Sequence, residues 1–272
     1  MDNLFPHPPG EASFVAIGDS FTEGLNDAAP GGGYRGWADR LAGMMAAEYP
    51  DLRYANLAVR GKLLRQVVAE QVPAAVTLSP ALVSIAGGGN DIIRPGGDPD
   101  TLAELFDAAV ARLRAAGCRV LMFTGADLVG FPVMRLLRGR IAAYNMHLRS
   151  IADERGCDLV DLWSMRFLRE LSAWSPDQLH MTSQSHQRVA LRACEVLGLP
   201  VTEDWRVSPA DDLRLVRESA RGPWVAARRD DARWAREYLA PWVNRRLHGV
   251  SSGDGRSAKR PQLSPVSPPI LM

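Results

Sequence analysis

At 272 residues, with 46% hydrophobic and 23% charged positions and a formal net charge of +1, the chain has the make-up of an ordinary globular protein. The balanced charge removes any whole-chain argument for a nucleic-acid or anionic-membrane partner, and no apolar run reaches the roughly 18 residues of a membrane span. Three cysteines, Cys118, Cys157 and Cys194, are odd in number and far apart. They suit neither a disulfide framework nor a structural zinc site, and they point to a reducing, cytoplasmic setting.

A lead of residues 1–11 lacks the basic and apolar regions of a secretory signal. The elements that follow alternate. Residues 14–17 are apolar and partly β-branched, which predicts a buried strand that stops at Gly18-Asp19. After a Gly- and Pro-rich loop, residues 37–48 read as a helix with Trp37, Leu41, Met44 and Met45 on one stripe. A second strand is expected over 52–57, a short helix over 63–71 and a third strand over 81–86. A helix over 100–116 ends at Gly117, and a fourth strand covers 119–124. A long helix over 138–155, a fifth strand over 158–162 and a last helix over 183–197 complete the series. This rhythm predicts an α/β fold, a parallel sheet with helices on both faces.

The character changes after Pro200. Four of the seven tryptophans fall at Trp205, Trp224, Trp234 and Trp242, and residues 205–249 hold ten arginines against six acidic residues. The aromatic spacing predicts a helical Trp- and Arg-rich extension over 201–249 that docks on the preceding domain. The Ser-, Gly- and Pro-rich stretch 250–272 reads as a disordered, dispensable tail.

Ser20 lies just beyond the first strand, where ligands bind in open parallel sheets. A serine hydroxyl needs an adjacent base, and Asp177-Gln178-Leu179-His180 offers a histidine with a carboxylate three residues before it. Gly61, past the second strand, has a backbone N–H that a ligand can approach closely. Asn90, in the run Gly88-Gly89-Asn90-Asp91 past the third strand, has a side-chain amide. With the Ser20 N–H these form a candidate oxyanion hole, comprising Ser20, Gly61 and Asn90. Asp91 reads as a cap for the next segment. A zinc reading of His180, His186 and Asp177 is disfavoured, because a six-residue gap does not put two histidines on one helical face.

Four of these stretches, in this order, resemble the GDSL esterases and lipases of the SGNH hydrolase superfamily: Gly18-Asp19-Ser20-Phe21-Thr22-Glu23-Gly24, Asn56 to Gly61, Gly88 to Asp91, and Asp177 to His180. The resemblance covers residues 12–200 and leaves the remainder aside. It implies a flavodoxin-like three-layer α/β/α sandwich with a five-stranded parallel sheet. It also implies Ser20 as nucleophile, His180 as base, Asp177 as its orienter, and a small-molecule acyl ester as substrate, without cofactor or metal. One departure is Ser185 before His186, where relatives often carry glycine. The alternative is a flavodoxin-like module that binds a phosphate-bearing ligand on its glycine loops. A second serine motif, Gly249-Val250-Ser251-Ser252-Gly253, fits the G-x-S-x-G elbow but lacks the flanking strand and helix, so it reads as a chance match.

Overall fold

The computed structural model describes residues 12–131, 133–201, 203–207, 236–237 and 251–266. Strand β1 (Ser13–Ile17) is buried throughout. It lies between β2 (Arg53–Asn56) and β3 (Leu82–Ile85), both parallel to it, with Phe14 opposite Tyr54 and Leu82. Strands β4 (Arg119–Phe123) and β5 (Asp158–Val160) extend the parallel sheet beyond β3. Strand β6 (Arg260–Pro265) adds to the other edge, antiparallel to β2. The order is β5-β4-β3-β1-β2-β6.

Side-chain alternation divides the core into two layers. Phe14, Ala16, Leu121 and Phe123 face one side, where α2 (Gly36–Glu48) and α8 (Ser183–Leu197) bury Trp37, Leu41, Met45 and Val189. Val15, Ile17, Val83, Ile85, Val120 and Met122 face the other, against α6 (Pro99–Ala115) and α7 (Arg138–Arg155). Burial on both faces explains why these strands read as continuous apolar runs and not as alternating ones.

The observed elements depart from expectation in three places. The helix expected over 63–71 continues to Leu78, as α3 (Leu64–Gln66), a π-helical stretch (Val67–Gln71) and α4 (Val72–Leu78). Pro73 has no N–H for a normal helical bond, and the wide turn lies directly before it. The fifth strand is shorter than expected and gives way to a 3-10 turn at Leu162–Ser164.

The largest correction is at the C-terminal end. Six strands stand where five were expected, and the sixth comes from the stretch read as disordered. Composition misled because this segment is held by polar groups. Lys259 Nζ donates to the carbonyls of Glu23, Tyr34 and Arg35 and to Asp39 Oδ2, at 2.7, 3.0, 2.8 and 2.9 Å. Arg260 Nε donates to Tyr54 O at 3.0 Å, and its guanidinium lies over the Tyr54 ring. Pro261 and Pro265 are tolerated because β6 is an edge strand. The helical extension expected over 201–249 lies almost wholly outside the described residues. Within it, Trp205 is buried, and its indole N–H donates to Glu195 on α8 at 2.6 Å.

Candidate active site

The turn after β1 is clamped from both sides. Gly18 has a φ of 151°, and a Cβ there would collide with the Ala86 carbonyl. The buried Gln71 side chain pairs with the Gly18 backbone in both directions, accepting its N–H at 2.8 Å and donating to its carbonyl at 2.9 Å. The π-helical stretch thus places an amide against the turn, and such stretches often occur at functional sites. Asp19 caps the short helix α1 (Ser20–Glu23), accepting the Phe21 N–H at 3.1 Å. Burial above all pushes the Asp19 carboxyl up to about 6, against the opposing Phe21 N–H.

Ser20, Asp177 and His180 come together. His180 Nε2 is 3.1 Å from Ser20 Oγ, and His180 Nδ1 is 2.7 Å from Asp177 Oδ2. The three-residue spacing works through the backbone: Asp177 Oδ1 accepts the N–H groups of both Leu179 and His180 at 3.0 Å. Asn26 donates to Asp177 Oδ2 at 3.0 Å, a contact from 151 positions away that sequence reading missed. Burial works to raise the Asp177 carboxyl, but the His180 hydrogen bond and charge, with the two backbone donors, hold it below the ordinary carboxylate range.

His186 stands apart from this group. Its Nδ1 accepts the Trp37 N–H at 3.2 Å and its Nε2 faces Leu25 O at 3.4 Å. Burial pulls its pKa down to about 4, so the ring is neutral. Among the described residues no group of three or more His, Cys, Asp or Glu side chains is placed to hold a metal ion.

The three expected oxyanion donors border the same cavity of about 480 Å³ as Ser20 and His180. The backbone N–H groups of Ser20 and Gly61 have no hydrogen-bond acceptor among the described residues. Asn90, on the short helix α5 (Gly89–Ile92), differs: its amide donates to Asp19 Oδ2 at 3.0 Å and to Lys62 O at 3.1 Å. Asp91, expected to cap the following segment, instead accepts the Leu64 N–H at 3.0 Å and ties the loop after β3 to the loop after β2. Glu23 holds the second loop as well, accepting the Arg60 N–H at 2.7 Å and pairing with the Arg60 guanidinium.

Gly61 is pressed against the C-terminal segment. Its φ is 73°, and a Cβ would run into the Ser251 hydroxyl. That hydroxyl donates to Gly61 O at 3.2 Å. Ser251, the central residue of the G-x-S-x-G match, therefore faces a carbonyl and not a histidine. Ser252 and Arg256 line the cavity beside it.

The family model of the GDSL-like lipase/acylhydrolase family matches residues 16–188, well over half of the chain. The chain belongs to this family. It is thereby an ester hydrolase of the GDSL type. Its fold is shared with solved structures. LAE5, an alpha/beta hydrolase from the metagenome of Lake Arreo, Spain, superposes with a TM-score of 0.60 at 23% identity, over 69% of this chain and 95% of its own. Axe2, an acetylxylan esterase from Geobacillus stearothermophilus, gives 0.60 at 21% identity over 72% and 97%. TesA gives 0.56 at 23% identity over 68% and 97%. At these identities the likeness is one of fold. No curated protein matches the sequence. Among the described residues no helix is long and apolar enough to cross a membrane.

Proposed function

We propose that this chain cleaves carboxylic esters by covalent catalysis, with Ser20 as nucleophile, His180 as general base and Asp177 as its orienting carboxylate. The observation that carries this reading is the unbroken relay of 3.1 and 2.7 Å from Ser20 Oγ through His180 to Asp177, opening into a cavity bordered by N–H donors. His180 Nε2 takes the Ser20 proton as Oγ attacks the ester carbonyl carbon. The carbonyl oxygen becomes an oxyanion between the Ser20 and Gly61 N–H groups. His180 then returns the proton to the leaving alcohol, which departs as the acyl-enzyme forms. Water, deprotonated by the same histidine, attacks the acyl carbon and releases the carboxylic acid with Ser20 restored. Asn90 serves as third donor by sharing one N–H between its present acceptor and the oxyanion. Every group in this cycle belongs to the protein, so the reading requires no cofactor. The free cysteines suit work in a reducing compartment, the cytoplasm.

A non-catalytic phosphate-binding module is the weaker reading. The Gly88–Asp91 loop lies beside the carboxylates of Asp19 and Asp91, which repel a phosphate.

Ser20→Ala should lower kcat by about 10⁶-fold on a short p-nitrophenyl ester, the scale of losing a nucleophile that acts as a unit with its base. A serine-directed phosphonate should label Ser20. An adduct mapped to Ser251, or an active Ser20→Ala variant, would overturn the assignment.

A further inference from the structure

The cavity around Ser20 is polarised along the sheet. On the β3–β4 side its wall is apolar, built by Ile92, Met134, Ile141 and Leu148. On the β2–β6 side it is formed by Arg60, Gly61, Ser252 and Arg256. The two arginines differ. Arg60 is neutralised by Glu23 and stacks on the Tyr34 ring at 4.9 Å, so its charge is spoken for. Arg256 is exposed, and its Nε donates to Ser252 O at 3.1 Å. Its two terminal nitrogens meet no acceptor among the described residues. Asp254, two residues before it, accepts the Ser251 N–H at 2.6 Å.

The backbone that presents Arg256 is fixed. Ser251 Oγ is bonded to Gly61 O at 3.2 Å, the Arg256 N–H donates to Gly253 O at 3.1 Å, and Lys259 anchors the chain three residues on. A guanidinium on the cavity wall, whose two terminal nitrogens meet no acceptor among the described residues, matches the two oxygens of a carboxylate or phosphate.

We propose that Arg256 is a specificity-determining residue that binds an anionic oxyacid group on one arm of the ester, while the apolar wall takes the other arm. The substrate class is then an amphipathic ester, with an alkyl chain on one side of the scissile bond and a phosphate or carboxylate on the other. This deepens the hydrolase reading and rests on it.

The test compares kcat/KM for three octanoyl esters: of glycerol, of glycerol 3-phosphate and of glycerate. The native protein should prefer one or both anionic esters, and which of them it prefers identifies the group as phosphate or carboxylate. In Arg256→Ala the anionic-to-neutral ratio should fall about tenfold or more, through KM, as one charge-assisted pair is lost. Arg256→Lys should recover part of the ratio, and Arg256→Glu should lower it further than alanine does. Taking a ratio within each variant separates recognition from folding. A ratio unchanged in both Arg256→Ala and Arg256→Glu would overturn the proposal while leaving the hydrolase reading standing. Cleavage of all three esters that survives Ser20→Ala would instead overturn the hydrolase reading, and this one with it.

Discussion

The turn after β1 and the segment over residues 251–266 both border the cavity, yet they are ordered by different forces. The first is built on an apolar strand with every residue buried, and its Gly-Asp-Ser turn is capped within its own sequence. The second has a half-exposed strand and little apolar content, and it is ordered by Lys259 and Arg260, which fill backbone carbonyls of α1, of the loop before α2 and of β2. Burial on both faces leaves a visible run of apolar residues in the sequence. Saturation of carbonyls by one lysine leaves none, because any surface lysine looks the same in sequence. A Ser- and Pro-rich tail can therefore be part of a site.

Three perturbations sharpen this contrast. The largest effect should come from the loop after β3, whose Asn90 amide holds Asp19 in the turn after β1. Asn90→Ala removes the proposed third oxyanion donor and also strips Asp19 of an amide partner. It should lower kcat by about 10²-fold or more with KM little moved. A rise in KM at constant kcat would mean that Asn90 only binds substrate.

A smaller effect should come from the second region. Lys259→Met leaves three carbonyls and Asp39 without their shared donor, on a side chain only 22% exposed. The cost should be about 1–3 kcal/mol of stability. Amide exchange over 260–265 should quicken, and kcat should fall several-fold, because the turn that backs Gly61 loosens. Unchanged exchange there would show that the β2 edge alone holds the strand.

The smallest net effect in the native protein comes from a pair of opposed slopes with pH. His186, with a native pKa of about 4 against an ordinary 6.5, refuses a proton that the unfolded chain accepts. Its contribution is full above pH 6.5 and is lost as pH falls toward 4. Asp19, at about 6 against 3.8, holds a proton that the unfolded chain has released. Its contribution is full below pH 3.8 and is lost as pH rises through 6. The two offset each other between pH 4 and 6. Melting temperatures across that range should show His186→Gln flattening the loss of stability toward acid and Asp19→Asn steepening it. Parallel curves for the native protein and both variants would refute the assignment.

Much of the fold and most of the candidate site can be read from local sequence. The β-α alternation follows from runs such as Phe14 to Ile17 and Leu82 to Ile85, whose burial on both faces leaves an uninterrupted apolar signature. Ser20, Gly61, Asn90 and the Asp177–His180 pair each follow a turn or strand end with its own local chemistry. Only the tertiary structure decided what surrounds them: Gln71 against Gly18, Asn26 on Asp177, Ser251 beneath Gly61, and Arg256 at the cavity wall. The first three of these join residues from 53 to 190 positions apart. Such contacts are made by single polar side chains whose partners are backbone atoms or one carboxylate. They impose no period on the sequence, and they exist only once the sheet has brought its strand ends together.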